Sequence, residues 1–285
     1  MYKTVYTLIT GASEGFGKSL AFECASRKMN LVLIALPGPE LDYLADFIQR
    51  NYHVVVITLE KDLSKEENCI SLFDEITTLG IQVNMLINNA GIGSTMLFDE
   101  GSLLFYQRQI KLNVLATTLI TRLFIDMLRK NSPSYILNVG SLCCFFFLAK
   151  KQVYGGTKSY IYFFSKSLRR EVAAAGISVS VVCPGGMNTN AVQYFTKKNA
   201  GWLAKKSYMN PEEVAPVAIK ELLQGKEVII PGRINKFFML LDKLLPSRIK
   251  KIITNYQMKK MKPIDTIHPS NCFAPAFENK VLLSA

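Results

Sequence analysis

Short, almost uninterrupted β-branched and apolar runs recur along this chain between helical patterns: VYTLIT, LVLIAL, VVVITL, VNMLIN, YILNVG, ISVSVVC and EVIIPG. A strand that is apolar at nearly every position has no face to offer water, so it needs cover on both sides. Between the runs, apolar residues repeat at helical period near 16–28, 39–51, 64–79, 103–130, 152–175 and 211–224. Strands alternating with helices predict crossover connections, and therefore a parallel sheet with helices on both faces. Seven runs predict an α/β, doubly wound, seven-stranded parallel sheet.

With 285 residues, 49% hydrophobic and only 20% charged, the chain can bury one large core and is not a disordered protein. The start, MYKTVYTLITGAS, passes from a strand-like run straight into a glycine turn, with no room for a signal-peptide core. The longest apolar stretch, around 112–128, contains Arg122 and Asp126 and reads as a buried amphipathic helix rather than a membrane span. Six cysteines without CxxC spacing then point to reduced thiols and a cytoplasmic location, with Cys143 and Cys144 as pocket or core fillers. Two histidines, His53 and His268, offer neither a zinc cluster nor a Ser/His/Asp triad, so no metal is expected.

The net charge of +12 is concentrated. Residues 232–262 hold nine basic side chains against Asp242 alone. Within them RINKFFMLLDKLL sets Ile234, Phe237, Phe238, Leu241 and Leu244 on one helix face. The expected division is a catalytic domain over 1–231, a basic amphipathic helical extension over 232–262 and a tail over 263–285. The extension suits peripheral contact with an anionic membrane surface or packing on a partner subunit. Charge confined to one end without a recognition motif argues against nucleic acid.

TGASEGFG, residues 10–17, joins the first strand to the first helix. Gly11 permits a tight turn, Gly15 lets backbone approach a pyrophosphate and Gly17 brings helix close to strand, while the helix N-terminus supplies donors. Ser13 and Phe16 belong to the same loop. The first chemistry expected of the chain is thus dinucleotide binding, in a Rossmann fold.

Tyrosine stands four residues before lysine at four places: Tyr154 with Lys158, Tyr162 with Lys166, Tyr194 with Lys198 and Tyr256 with Lys260. Order along the chain selects one pair. The glycines run GxxxGxG; then come Asp62-Leu63 after the third strand, Asn88-Asn89-Ala90-Gly91 after the fourth, Asn113 in the long helix, Ser141 after the fifth, and Tyr154 with Lys158. Pro184-Gly185 follows the sixth strand, with Met187 and Thr189 behind it. This ordered set resembles the short-chain dehydrogenase/reductase family over about residues 4–231.

The resemblance implies an NAD(P)(H)-dependent oxidoreductase that interconverts a ketone and a secondary alcohol, with Asn113, Ser141, Tyr154 and Lys158 as its catalytic set. Tyr154 would exchange the proton at the carbonyl oxygen, helped toward phenolate by the Lys158 cation one turn away, and Ser141 would orient that oxygen. Lys158 would also hold the nicotinamide ribose, Asn113 would join a water relay, and Asn88 would shape the site. Gly11, Ser13, Gly15, Phe16, Gly17, Asp62, Leu63, Asn89, Ala90, Gly91, Pro184, Gly185, Met187 and Thr189 would line the cofactor, the last two meeting its carboxamide.

No acid stands at Ala35-Leu36-Pro37 to repel a 2′-phosphate, which tips the cofactor toward NADP(H) over NAD(H), although Leu36 replaces the arginine of many relatives. LCCFFFLA after Ser141, together with Val192, Tyr194, Phe195, Trp202 and Leu203, implies a hydrophobic or lipid-like carbonyl or alcohol, such as a long-chain keto lipid or ketoacyl thioester. Phe145–Phe147 fit a subunit interface of a homo-oligomer almost as well. A catalytically inactive dinucleotide sensor or interaction protein is the competing class.

Overall fold

A computed structural model describes residues 4–146, 148, 150–189, 202–244 and 246. Seven parallel strands form one sheet: β1 Tyr6–Thr10, β2 Asn30–Ala35, β3 Val56–Glu60, β4 Val83–Asn88, β5 Ser134–Val139, β6 Ile177–Val182 and β7 Val228–Ile229. Their order, β3-β2-β1-β4-β5-β6-β7, reverses direction between β1 and β4. That is the topological switch point at which open parallel sheets leave a crevice beyond their strand ends.

The helices are α1 Gly15–Ser26, α2 Pro39–Tyr52, α3 Glu66–Thr78, α4 Leu103–Ile110, α5 Thr117–Lys130, α6 Gln152–Val172, α7 Trp202–Ser207, α8 Pro211–Leu223 and α9 Arg233–Leu244, all but the short α7 in segments with the expected helical periodicity. The continuous apolar runs are explained by the two packing layers. Ile9, Leu31, Leu33 and Ile87 bury against Leu20, Leu41, Ile48 and Val214 on one face. Their neighbours Leu8, Val32, Ile34 and Leu86 bury against Leu72, Ile76, Ile120 and Phe124 on the other. Alternation of period two persists, but both phases are apolar because both faces are covered.

Three features depart from the expected pattern. The single long helix over 103–130 is broken by a π turn, Lys111–Ala116, which contains Asn113. The final strand keeps only two residues of EVIIPG. In α9 the residue sealed against the body is Asn235, whose amide donates to the carbonyls of Pro231 at 2.9 Å and Ser207 at 3.3 Å. The expected apolar stripe is therefore split, with Phe237 and Leu241 exposed. The compact unit containing these elements runs Met1–Leu244. The flap residues Val192, Tyr194 and Phe195, Phe147, and the extension beyond Leu244 apart from Pro246 lie outside the described residues.

Candidate active site

The ends of β1 and β4 are fastened together before any functional group is placed. The Thr10 hydroxyl accepts the amides of Asn89 and Ala90, each at 3.0 Å, and the Asn89 carboxamide donates to the Thr10 and Gly11 carbonyls at 2.9 and 3.0 Å. Gly11 and Gly15 adopt positive φ, 65° and 52°, as a tight turn requires. A β-carbon on Gly17 would collide with the Gly11 carbonyl oxygen, so the glycine there is what lets α1 start against the loop.

α1 is suited to an anion. Its N-cap residue Glu14 makes no side-chain cap bond and its first turn holds no acid, whereas α2, α3 and α8 carry acids in theirs. Thr189 comes close to this turn: a β-carbon on Gly15 would sit 3.2 Å from the Thr189 β-carbon. Phe16 and Leu63 are buried supports, and Asp62 accepts from the Ser64 amide and hydroxyl while facing Arg108 at 3.6 Å. Pro184 accepts the Leu142 amide at 2.9 Å, tying the loops after β5 and β6 together. Gly185 leaves no space for a β-carbon beside the Ser207 carbonyl, and Met187 pairs with Met209. The helix start without a side-chain cap and the glycine turn before it fit a dinucleotide pyrophosphate.

Ser141, Tyr154, Lys158 and Asn113 converge at the far side of the same crevice. Ser141 is buried at the end of β5, where its hydroxyl accepts the Cys143 amide at 3.2 Å. Half-buried Tyr154 lies in the first turn of α6, close enough to Ser141 for that hydroxyl to lower its pKa. Lys158, one turn on and buried, holds its ammonium 5.9 Å from the Tyr154 ring centroid and donates to the Val139 carbonyl at 2.7 Å. Gly91 completes the approach: a β-carbon there would stand 3.0 Å from Asn113 Oδ1 and 3.6 Å from Lys158 Nζ.

The Asn113 carboxamide is fully engaged. It accepts the Ile92 amide at 2.9 Å and donates to the Ile92 carbonyl and the Thr157 hydroxyl, each at 3.0 Å. Its side chain thus clamps the loop after β4 to α6. Asn88 lies inside the sheet, donating to Thr121 at 3.0 Å and to Asn138 at 2.8 Å.

Electrostatics differ from the expectation in one respect. Burial pushes the Tyr154 phenol well above the ordinary tyrosine range, the nearby Cys143 thiol adds to this, and the Ser141 hydroxyl only partly opposes it. The expected acidification by Lys158 does not dominate, because burial weakens that cation as well and holds its own pKa below the ordinary lysine value. The phenol therefore stays protonated at neutral pH.

Of the other Tyr–Lys pairs, Tyr162 packs against a small core cluster of Leu142, Ile161, Val181, Cys183 and Ile230, meeting Phe145 edge-on at 5.0 Å, with Lys166 over its ring. That pair is structural. Tyr194 with Lys198 and Tyr256 with Lys260 lie outside the described residues. Cys144 packs against the same cluster and its thiol donates to the Lys158 carbonyl at 3.1 Å, in keeping with a filler. The described cysteines are all free.

Two groups were not singled out from sequence. Glu60, paired in register with Ala35, accepts the Gly38 amide at 2.8 Å, so a carboxylate stands beside the turn after β2 although none is encoded at 35–37. Lys151 stands over the Tyr154 ring, 5.0 Å from its centroid. Among the described residues no group of acidic, histidine and cysteine side chains could hold a metal ion, and no helix is long and apolar enough to cross a membrane.

The family model for short chain dehydrogenase matches residues 5–200. The chain is 29% identical over 217 residues to a 3-oxoacyl-(acyl-carrier-protein) reductase of Aquifex aeolicus, covering 75% of this chain and 88% of that one. It is 31% identical over 230 residues to an NADP-dependent 3-hydroxy acid dehydrogenase of Schizosaccharomyces pombe, covering 78% and 88%. A solved short-chain dehydrogenase from Sphingobium yanoikuyae in complex with NADPH superposes with a TM-score of 0.72 at 24% identity, over 92% of this chain and 98% of that one.

Proposed function

The chain belongs to the short-chain dehydrogenase family of oxidoreductases, and on that premise we propose that it reduces a hydrophobic ketone to a secondary alcohol, and runs the reverse reaction, with Tyr154 as general acid/base. The observation that carries this reading is the convergence of Ser141, Tyr154 and Lys158 beyond the end of β5, with the Lys158 ammonium 5.9 Å from the centroid of the Tyr154 ring. A bound nicotinamide dinucleotide supplies the hydride. Ser141 orients the carbonyl oxygen through its hydroxyl, and Tyr154 gives that oxygen its proton. A phenol kept protonated by burial is the form that reduction consumes.

Lys158 is the residue assigned to the ribose hydroxyls of the cofactor, for which its ammonium would exchange the Val139 carbonyl. Asn113 acts as a positioning residue: its clamp between Ile92 and Thr157 sets the spacing of the β4 loop and α6. Gly11, Ser13, Gly15, Phe16 and Gly17 form the pyrophosphate turn, with Asp62, Leu63, Asn89, Ala90 and Gly91 along the adenosine side. Pro184, Gly185, Met187 and Thr189 belong to the nicotinamide side.

NADP(H) remains the preferred cofactor in this reading, since Ala35-Leu36-Pro37 carries no acid and relatives include an NADP-dependent enzyme. The Glu60 carboxylate limits that preference. A hydrophobic substrate is supported by Leu142, Cys144, Phe145 and Phe146 beside the Ser141 loop. Exposed Leu103, Leu104 and Phe163 support a homo-oligomer, and exposed Phe237, Leu240 and Leu241 beside Arg233 and Lys236 support either partner or membrane contact through α9.

A turnover screen of hydrophobic ketones and alcohols with both cofactors tests the reading. Cofactor-dependent conversion supports it; binding of cofactor with no turnover across the panel favours the sensor class.

A further inference from the structure

Lys151 is a cation with no carboxylate to answer it. It is half-buried at the residue preceding α6, and its ammonium lies 5.0 Å from the centroid of the Tyr154 ring. The loop that carries it is held: the Lys150 carbonyl accepts the Met96 amide at 3.1 Å, the Lys151 amide donates to Leu148 at 3.3 Å, and the Lys151 carbonyl accepts from Gly155 at 2.6 Å. The backbone from which this side chain springs is therefore held on both sides.

Burial lowers the Lys151 ammonium below the ordinary lysine range, and only Cys143 acts against this. Among the described residues no Asp or Glu forms an ion pair with Lys151. A cation over an aromatic face gains part of what it loses on leaving water, but the ring does not neutralise it. A desolvated, unpaired cation next to a reacting group is favourable only with an anion beside it. Half-buried Lys61 is answered by Glu75 at 2.8 Å, whereas Lys158, also without a carboxylate, spends its ammonium on the Val139 carbonyl; among the described residues no such bond is made by the Lys151 ammonium.

We propose that Lys151 is a substrate-selecting residue that binds a carboxylate a few bonds from the reacting carbon, so that the substrate is an oxo or hydroxy acid with an apolar chain. This rests on the oxidoreductase reading and deepens it. Lys151 and the phenol share one ring, the ammonium 5.0 Å from its centroid, so an acid whose carboxylate meets the ammonium would bring its nearby carbonyl beside Tyr154. The apolar residues after Ser141 remain available to the chain of the acid.

The test compares 3-hydroxyoctanoate with its methyl ester as substrates, in wild type, Lys151→Met and Lys151→Arg, using the full chain with NADP+ or NAD+. The expected result is a preference for the acid in kcat/KM of about tenfold or more, lost in Lys151→Met and largely kept in Lys151→Arg. Taking the acid-to-ester ratio cancels any effect of the substitution on Tyr154 itself. An ester preference in wild type, or a ratio unchanged in Lys151→Met, overturns the proposal.

Calorimetric titration of octanoate into the same three proteins gives a reading independent of turnover. Binding weakened about tenfold or more in Lys151→Met supports the site; equal binding, or none to wild type, overturns it. If neither substrate is converted by any of the proteins, the octanoate titration alone decides the carboxylate site, and the oxidoreductase reading is decided by the wider screen.

Discussion

The Ser141 hydroxyl, at the tip of the fifth strand, acts on the Tyr154 phenol, in the first turn of the helix that follows. The Ser141 hydroxyl pulls the phenol pKa down against the larger upward push of burial. Its removal has a definite sign. Alcohol oxidation needs phenolate, so its rate climbs with pH toward the tyrosine pKa. In Ser141→Ala that limb is expected to move to higher pH, with kcat down by roughly tenfold to a hundredfold. A pH profile of alcohol oxidation in both proteins checks the shift.

Gly17 and Gly156 are both helical glycines, with opposite expectations. At Gly17 an added β-carbon meets the Gly11 carbonyl and the Asn89 amide, so Gly17→Ala should cost about 1–3 kcal/mol and weaken cofactor binding. At Gly156, exposed in α6, an added β-carbon meets nothing within 4 Å, so Gly156→Ala should stabilise by about 0.5–1 kcal/mol. Urea denaturation of the two variants measures both signs.

Much of this geometry was legible in the sequence because burial on both faces leaves strands apolar throughout, and because the glycine turn and the Ser–Tyr–Lys order must follow strand ends. What stayed hidden depends on partners distant in sequence. Glu60 reaches Gly38 only through the pairing of β2 with β3. The π turn at Asn113 is a change of hydrogen-bond register, which apolar periodicity does not record. Asn235 displaced the apolar stripe of α9 because its amide closes the carbonyls of Pro231 and Ser207. Lys151 looked like one more lysine until its ring neighbour and missing counter-charge were seen.

Glu60 leads to a cofactor prediction. Glu60→Gln removes a negative charge from the turn after β2 and should raise affinity for NADPH severalfold relative to NADH. The gain should fade at 1 M salt, where the screening length falls to about 3 Å. Fluorescence titration of both cofactors at low and high salt measures it. Equal change for the two would mean that Glu60 does not face the ribose phosphate.

Buried thiols set the alkaline limit of stability. Burial pushes Cys24 to about 12 and Cys69 to about 11, both from 9.0. A raised pKa in the folded chain means that the folded state holds its proton longer than the unfolded one, so stability is intact below about pH 9 and falls as pH rises toward those values. Cys24→Ala should flatten the fall between pH 9 and 12, as read from the pH dependence of urea midpoints.

The central claim is that the Tyr154 hydroxyl supplies the proton while the rest of the crevice holds the cofactor. The most direct measurement is turnover by Tyr154→Phe on any ketone the wild type reduces, with cofactor binding followed in the same protein by fluorescence. The predicted result is a loss of kcat of at least about a hundredfold with cofactor affinity held within severalfold. Turnover at the wild-type rate in that variant would contradict the account.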